Sequence, residues 1–90
     1  MKLKNLLRLE LDSNKLTSLS ESIGNLQSLE FLVLYENQIT SLPNTLGDLL
    51  SLQELELQQN DLSSLPESMK NLQFTFSILG VLITTGKLFV

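Results

Sequence analysis

The feature that most constrains this sequence is a pattern that recurs with a 23-residue period. Residues 6–28, 29–51 and 52–74 align without a gap and keep apolar side chains in register from Leu6 to Leu72, with one aligned asparagine in each copy. Such a period indicates a stack of supersecondary units, because one unit of this length cannot bury its leucines alone, whereas adjacent units enclose a shared core. The chain is therefore predicted to be a repeat array.

Within each copy, the spacing between successive apolar residues changes part-way along the sequence. In the first copy Leu9 and Leu11 alternate as in a strand, whereas later apolar residues are three or four positions apart, as in a helical or 3₁₀ segment. Pro43 and Pro66 fit the first position of such a segment, where no backbone N–H is needed, and they would interrupt the long helix of a leucine zipper. Each repeat is predicted to contain one strand, one turn and one return segment.

The pattern L-x-x-L-x-L-x-x-N-x-L-x-x-L-P-x-x-L-x-x-L, carried by residues 3–74, resembles the leucine-rich repeat. The resemblance implies a right-handed α/β solenoid with a parallel sheet on its concave face and helical or 3₁₀ return segments outside. Repeats that end in S-L-P-x-x-L-x-x-L resemble the intracellular group that includes scaffolds of Ras signalling. The resemblance thus implies a short or partial member that binds proteins, with a cytoplasmic scaffolding role in signalling as the more specific expectation.

The predicted array covers residues 1–74, and it begins with a part repeat at 1–5 in which Leu3 is in phase with the leucine near the end of each later copy. Residues 75–90 form a divergent apolar segment, since Gly80 stands where the pattern calls for leucine.

Three interpretations of residues 75–90 remain open. The stretch from Phe74 to Gly86 has no charge and suits a strand. It can cover the end of the core as an irregular last strand or cap, it can be a poorly ordered end that is prone to aggregate, or it can associate with a membrane. This uncharged stretch falls short of the roughly 20 residues that span a bilayer, so membrane association is the least favoured of the three.

Composition excludes several classes of function. The chain has no cysteine and no histidine, which removes thiolate nucleophiles, imidazole bases and most zinc or copper sites. Its net charge of −4, with six scattered basic residues, argues against nucleic acid as a partner. We therefore expect no enzyme activity and no metal or cofactor.

Glu54 and Glu56 are the one pair whose spacing suits catalysis. Two residues on one strand are about 6.6 Å apart, a separation also found between paired glycosidase carboxylates. The spacing is unspecific and no other catalytic group accompanies it, so we favour a solvated acidic surface. A calcium site that includes Asp12 and Glu36 is disfavoured too, because calcium needs about six to eight oxygens gathered by a loop.

Asn14, Asn37 and Asn60 follow the strand of each repeat at the same position. We expect a structural ladder, in which each side-chain amide satisfies backbone groups of its own loop and of the next repeat.

The side chains between the strand leucines are predicted to point away from the core and to form the sheet face, the concave surface available to a partner. Phe31, Val33 and Tyr35 alternate along one strand and therefore point the same way, with acids on both neighbouring strands. An exposed apolar stripe with a charged rim is typical of an interface centre. The residues predicted to bind another protein are Phe31, Val33, Tyr35, Glu10, Asp12, Glu36, Glu54, Glu56 and Gln58.

Two alternatives to this binding surface remain. The apolar stripe can be ordinary surface or can be covered by the divergent segment, in which case the chain is a fragment or a minimal array with no partner of its own. The other alternative is membrane association through residues 75–90.

Overall fold

Four short strands lie side by side in one parallel sheet, and each occupies the same position in its copy of the pattern. In the computed structural model, which describes residues 5–72 and 77–79, the sheet has the order β1-β2-β3-β4, with β1 at Arg8–Glu10, β2 at Phe31–Val33, β3 at Glu54–Glu56 and β4 at Ser77–Leu79. The register aligns Leu9 with Leu32, Leu32 with Leu55 and Leu55 with Ile78. The predicted parallel sheet is confirmed.

The return segments are 3₁₀ helices of five residues each, at Glu21–Asn25, Asn44–Asp48 and Glu67–Asn71. Pro43 and Pro66 occupy the residue just before the second and third of these helices, one position earlier than predicted. This N-cap position needs an extended backbone, which proline's fixed φ supplies at −72° and −59°. The fold class predicted from the sequence, a leucine-rich-repeat solenoid with 3₁₀ return segments, is confirmed.

The leucines of the pattern fill the space between the sheet and the 3₁₀ helices. Leu29, Leu32, Leu34, Leu46 and Leu55 are fully buried. Each such side chain stabilises the fold by roughly 1.5 to 3 kcal/mol through the apolar area it removes from water. The pattern leucines of the first repeat are only partly buried against this core, namely Leu6, Leu9, Leu11, Leu16, Leu19 and Leu26.

Consecutive 3₁₀ helices approach each other closely at glycine. A Cβ atom at Gly24 would lie 2.8 Å from the Cβ of Thr45, and one at Gly47 would lie 2.5 Å from the carbonyl oxygen of Ser68. Such distances are too short for any side chain, so glycine is required for this spacing.

A side-chain hydroxyl joins the second 3₁₀ helix to the first, and another joins the third to the second. Thr45 Oγ1 donates to the carbonyl oxygen of Glu21 at 2.6 Å, and Ser68 Oγ donates to that of Asn44 at 2.6 Å. Thr45 and Ser68 have the same position in consecutive copies of the pattern, so the hydroxyl repeats with the leucines.

Asn37 connects the backbones of the first and second repeats. Its Oδ1 accepts hydrogen bonds from the backbone N–H groups of Asn14 and Leu16 at 3.0 and 2.9 Å. Its Nδ2 donates to the carbonyl oxygens of Leu11 at 3.0 Å and Leu34 at 2.9 Å. The amide thus serves its own loop and the preceding repeat, and the expectation that it serves the next repeat is wrong. The reason is that the preceding repeat presents two backbone N–H groups and one carbonyl oxygen within hydrogen-bond distance of this amide.

The same pattern holds for Asn60 but not for Asn14. Asn60 accepts from the N–H of Ile39 at 3.0 Å and donates to the carbonyl oxygen of Leu34 at 2.9 Å, both in the second repeat. Asn14 is exposed and its side chain donates to the carbonyl oxygen of Asp12, two residues away. The predicted ladder therefore has two bridging members, because no described repeat precedes Asn14.

The residue before each of these asparagines has a left-handed backbone. The φ values are 59° at Ser13, 58° at Glu36 and 61° at Gln59. This conformation costs a residue with a Cβ about 1 kcal/mol or more relative to glycine. The strand-to-turn transition therefore imposes the same strain in every repeat.

Strand β4 continues the 23-residue spacing for one more strand, with Ser77 opposite Glu54 and Leu79 opposite Glu56. Residues 73–76 and 80–90 lie outside the described residues. The boundary after residue 74 and the three interpretations of residues 75–90 stay predictions.

We predict that Asn37→Ala lowers the free energy of unfolding by about 1 to 3 kcal/mol, because it leaves backbone groups of two repeats without partners. Asn14→Ala is the matched control and should change it by less than about 0.5 kcal/mol, since the Asn14 side chain is exposed. Urea denaturation followed by circular dichroism measures both values. Equal losses for the two variants would contradict the bridging role of Asn37.

We also predict that Gln59→Gly stabilises the protein by about 0.5 to 1 kcal/mol, because glycine adopts the left-handed φ without a steric cost. Gln53→Gly is the control, at an exposed glutamine that is not among the residues with positive φ. It should destabilise the protein by a similar amount through chain entropy. Thermal melting compares the pair, and the same sign for both changes would refute the strain at Gln59.

Candidate functional site

The sheet face presents three rows of side chains that run across β1, β2 and β3. Parallel pairing places Phe31 between Arg8 and Glu54, and Val33 between Glu10 and Glu56. A third row follows the strands, since Ser13 N–H donates to Tyr35 and Glu36 N–H donates to Gln58 through their backbones. The rows are Arg8–Phe31–Glu54, Glu10–Val33–Glu56 and Asp12–Tyr35–Gln58. Eight of the nine residues predicted to bind a partner are in these rows, and Glu36 follows Tyr35.

Val33 does not belong to the exposed surface. Only 3% of its surface is accessible, so the expectation of three exposed apolar side chains is wrong at this position. The valine side chain is shorter than those of its cross-strand neighbours Glu10 and Glu56 and of Phe31 and Tyr35 on either side, so it lies below them. Val33 therefore separates the two aromatic rings without being available itself.

Phe31 is half-buried, and the guanidinium of Arg8 lies over its ring, 5.6 Å from the ring centroid. Arg8 also pairs with Glu10 on its own strand. This hydrogen bond is the largest cause of the raised pKa of Arg8. Partial desolvation is the next largest effect and opposes it, and the charges of Glu10, Glu56 and Glu54 raise the pKa further. A cation held in this way covers one face of the ring and is already neutralised by an acid.

Tyr35 is half-buried at the end of the stripe, beside Asp12 of the first repeat. The negative charge of Asp12 raises the pKa of the Tyr35 hydroxyl, and hydrogen bonding with Asp12 adds to this effect. The Tyr35 hydroxyl is therefore neutral at pH 7, as that of an unperturbed tyrosine also is. Neutral tyrosine combines an apolar ring with a hydrogen-bonding hydroxyl, which suits an interface.

Glu54 and Glu56 are both half-buried on β3. A hydrogen bond with Glu54 raises the pKa of Glu56 most, followed by burial and by the charge of Glu54, while Gln58 and Arg8 act in the opposite direction. The neighbouring Glu54 is therefore the main cause of the raised pKa of Glu56. The two carboxyl groups belong to one strand of the sheet face, whereas the carboxyl groups of a glycosidase pair lie on either side of a substrate.

Glu36 and Gln58 complete the predicted site. Glu36 is exposed at a left-handed turn, and its Oε1 accepts a hydrogen bond from Ser13 Oγ at 3.0 Å. Gln58 is half-buried, and its Oε1 has no hydrogen-bond partner among the described residues. Both side chains border Tyr35.

Two features of the surface were absent from the predicted site. Arg8 was not expected over Phe31, and Ser13 was not expected to hold Glu36. The 23-residue offset aligns Arg8 with Phe31 and Ser13 with Glu36, so alignment of the copies could have indicated both contacts.

Other kinds of site are not present in the part of the chain that the structure describes. Within residues 5–72 and 77–79, no three acidic side chains come together in a way that could hold a metal ion. No helix among these residues is long and apolar enough to cross a membrane. A groove among the described residues lies away from the sheet face, between the second and third 3₁₀ helices, where Asn44, Pro66 and Lys70 line it.

We predict that Glu56→Gln stabilises the protein at pH 7 more than at pH 4. A carboxyl pKa that is raised by folding favours the folded state while the group is protonated. That contribution is complete below the unfolded-state pKa of about 4.3 and is lost as the pH rises through the higher folded-state value. The difference in melting temperature between the variant and the parent protein should therefore grow from pH 4 to pH 7.

The control for this change is Glu30→Gln, which removes one carboxylate just before β2. If the melting-temperature difference grows as much between pH 4 and pH 7 for Glu30→Gln as for Glu56→Gln, the effect comes from the general loss of a negative charge. The Glu54–Glu56 contact would then not be its source.

Comparison with known proteins agrees with this architecture. A family model described as leucine rich repeat matches residues 4–62. No protein of curated function matches the chain.

Among solved structures, the chain is similar to a leucine-rich-repeat protein of Leptospira interrogans, with a TM-score of 0.82 and 40% sequence identity. The match covers 88% of this chain and 20% of that protein, so the chain spans one fifth of the relative's length. The aligned leucines, the parallel strands at 23-residue spacing and the match over residues 4–62 lead to one conclusion: the chain belongs to the leucine-rich-repeat family.

Proposed function

We propose that the sheet face binds an extended, positively charged segment of another protein, with Phe31 and Tyr35 as the apolar contacts. Leucine-rich repeats are generally protein-interaction modules and are typically non-enzymatic. The observation that carries the more specific proposal is the position of two half-buried aromatic rings, on β2 and just after it, between acidic side chains of the first and third repeats.

The charges of this surface favour a basic partner. Glu10, Asp12, Glu54 and Glu56 surround the two rings, whereas Arg8 is the one basic residue of the three rows and is paired with Glu10. The charge of Glu54 contributes to the raised pKa of Glu56, after hydrogen bonding with Glu54 and burial, because the two carboxylates repel each other when both are ionised. A lysine or arginine of a partner would relieve that repulsion, so its charge contributes to affinity as well as to orientation.

The rigidity of the surface supports binding without rearrangement. Strand β2 pairs with β1 on one side and with β3 on the other, and its Val33 is packed beneath the flanking side chains. Phe31 and Tyr35 therefore lose little conformational freedom when a partner covers them, which lowers the entropic cost of association.

The proposal extends to a scaffolding role in signalling and to a cytoplasmic location. The resemblance of the S-L-P-x-x-L-x-x-L ending to intracellular repeats supports both, as does the lack of cysteine in the sequence. Nucleic acid is not among the proposed partners, because the surface is acidic.

The test is a library of 15-residue peptides that covers a range of net charge, displayed on phage and selected against the immobilised full chain. We predict that the enriched peptides carry Lys or Arg together with apolar residues. Phe31→Ala combined with Tyr35→Ala should weaken their binding by about tenfold or more, as expected for loss of interface anchors. Binding should also weaken as salt is raised from 50 to 300 mM, in the way expected for charge pairs, which are screened over about 10 Å.

Leu50→Ala is the matched control, since this leucine is 74% exposed and belongs to the turn after the second 3₁₀ helix. It removes a comparable apolar side chain without touching the sheet face. Selected peptides that lose affinity through Leu50→Ala and not through the aromatic pair would overturn the proposal. Enrichment of acidic peptides would overturn its electrostatic part.

A further inference from the structure

The two half-buried rings of the sheet face have a defined separation along the chain. Phe31 begins β2, and Tyr35 lies two residues after the end of this strand. The backbone stays extended as far as Tyr35, because the carbonyl oxygens of Val33 and Tyr35 both accept hydrogen bonds from N–H groups of the first repeat, at 2.8 and 3.0 Å. Four residues of strand span about 13 Å, so the Cα atoms of Phe31 and Tyr35 are about that far apart.

That separation distinguishes an extended partner from a helical one. Alternate side chains of an extended segment point the same way, and the residue four positions along lies about 13 Å away on the same side. A helix rises about 1.5 Å per residue, so the residues that return to one side after about 7 and 11 positions have risen about 10 and 16 Å. An extended segment therefore matches both rings, and a helix does not.

The centre of the sheet face differs from its two ends. Val33 lies between the rings and is only 3% accessible, so it offers a partner no apolar contact. Glu10 and Glu56 flank this valine on the neighbouring strands and extend above it. An extended segment with apolar side chains over both rings has one more side chain on the same side, midway between them. That central side chain faces the two carboxyl groups.

The chain itself shows how a cation is held on this surface. The guanidinium of Arg8 lies 5.6 Å from the centroid of the Phe31 ring and pairs with Glu10. The ring and the carboxylate together stabilise one positive charge. Because Arg8 pairs with Glu10, the carboxyl group on the other side of Val33 is the one left for a partner. That group belongs to Glu56, which makes no ion pair among the described residues.

We propose that the segment bound by the sheet face carries a lysine or arginine at its centre and apolar residues two positions before and two positions after it. The apolar residues contact Phe31 and Tyr35, and the central cation contacts Glu56 above Val33. This inference rests on the binding proposed for the sheet face, and it adds the order and the spacing of the partner's side chains. The spacing follows from the extended backbone of β2, and the central charge follows from the burial of Val33.

Two peptides of identical composition, with acetylated and amidated ends, test this pattern. One contains L-S-K-S-L and the other contains L-K-S-S-L, between the same flanking residues. Moving the lysine by one position turns it to the opposite side of an extended segment, while the leucine spacing and the net charge stay the same. We expect the first peptide to bind the full chain at least about fivefold more tightly than the second.

NMR titration of the isotope-labelled full chain measures both dissociation constants and locates the contact. The amides of Val33, Tyr35 and Glu56 should show the largest chemical-shift changes with the first peptide. Titration to millimolar peptide concentration extends the measurement to the weak affinity expected of so short a segment.

Glu56→Gln separates the central contact from a general attraction of charge. This change should reduce the preference for the first peptide to less than about twofold, because the lysine then lacks its carboxylate. Glu21→Gln is the matched control, since this exposed glutamate begins the first 3₁₀ helix, away from the sheet face. It removes the same charge and should leave the preference unchanged.

The possible outcomes distinguish the pattern from the binding on which it rests. If both peptides bind the sheet face equally well, or if the preference persists in Glu56→Gln, the pattern is wrong while the proposed binding stands. If neither peptide binds at millimolar concentration, or if the shifted amides lie outside the sheet face, the proposed function fails and the pattern fails with it.

Discussion

The structure depends on the satisfaction of backbone groups where each strand turns away from the sheet. Burial of the leucines favours the stacking of neighbouring repeats. The hydrophobic effect is not directional, however, and would tolerate a shift of one strand along the next. The Asn37 amide accepts from two N–H groups and donates to carbonyl oxygens in two repeats, so it is satisfied only at the 23-residue offset. Because an unsatisfied buried amide costs about 1 to 3 kcal/mol, the asparagine selects one register among those that the leucines would allow.

That register then decides which side chains share a row on the sheet face. Arg8 lies over Phe31, and Tyr35 lies beside Asp12, because their strands are aligned residue by residue. The surface that we propose to bind a partner is therefore a consequence of the same amide bonds that close the turns. A change in the asparagines would disturb the site even though these residues do not belong to it.

The sequence predicted the repeat, the parallel sheet and the buried leucines, because its 23-residue period leaves few other ways to bury them. It did not predict the direction in which Asn37 bonds, since a side chain after a strand can reach either neighbour and the choice depends on the backbone of the turn. The burial of Val33 could not be predicted from the sequence either, because it depends on how far the longer side chains of Glu10 and Glu56 extend over this valine. The position of a residue within the repeat thus indicates on which face of the sheet its side chain lies. How exposed that side chain is depends on the sizes of the flanking side chains.

The contacts on the sheet face are less favourable to one another than the contacts in the rest of the described structure. Elsewhere, leucines, glycines, hydroxyls and amides all favour the same stacking. On the sheet face, the neighbouring carboxyl group of Glu54 raises the pKa of Glu56 on the same strand, and Gln58 Oε1 has no partner among the described residues. Natural sequences tolerate such local conflict mainly where function requires it, because selection for stability alone would remove it. The conflict is therefore a physical reason, separate from family membership, to look for the partner at this surface.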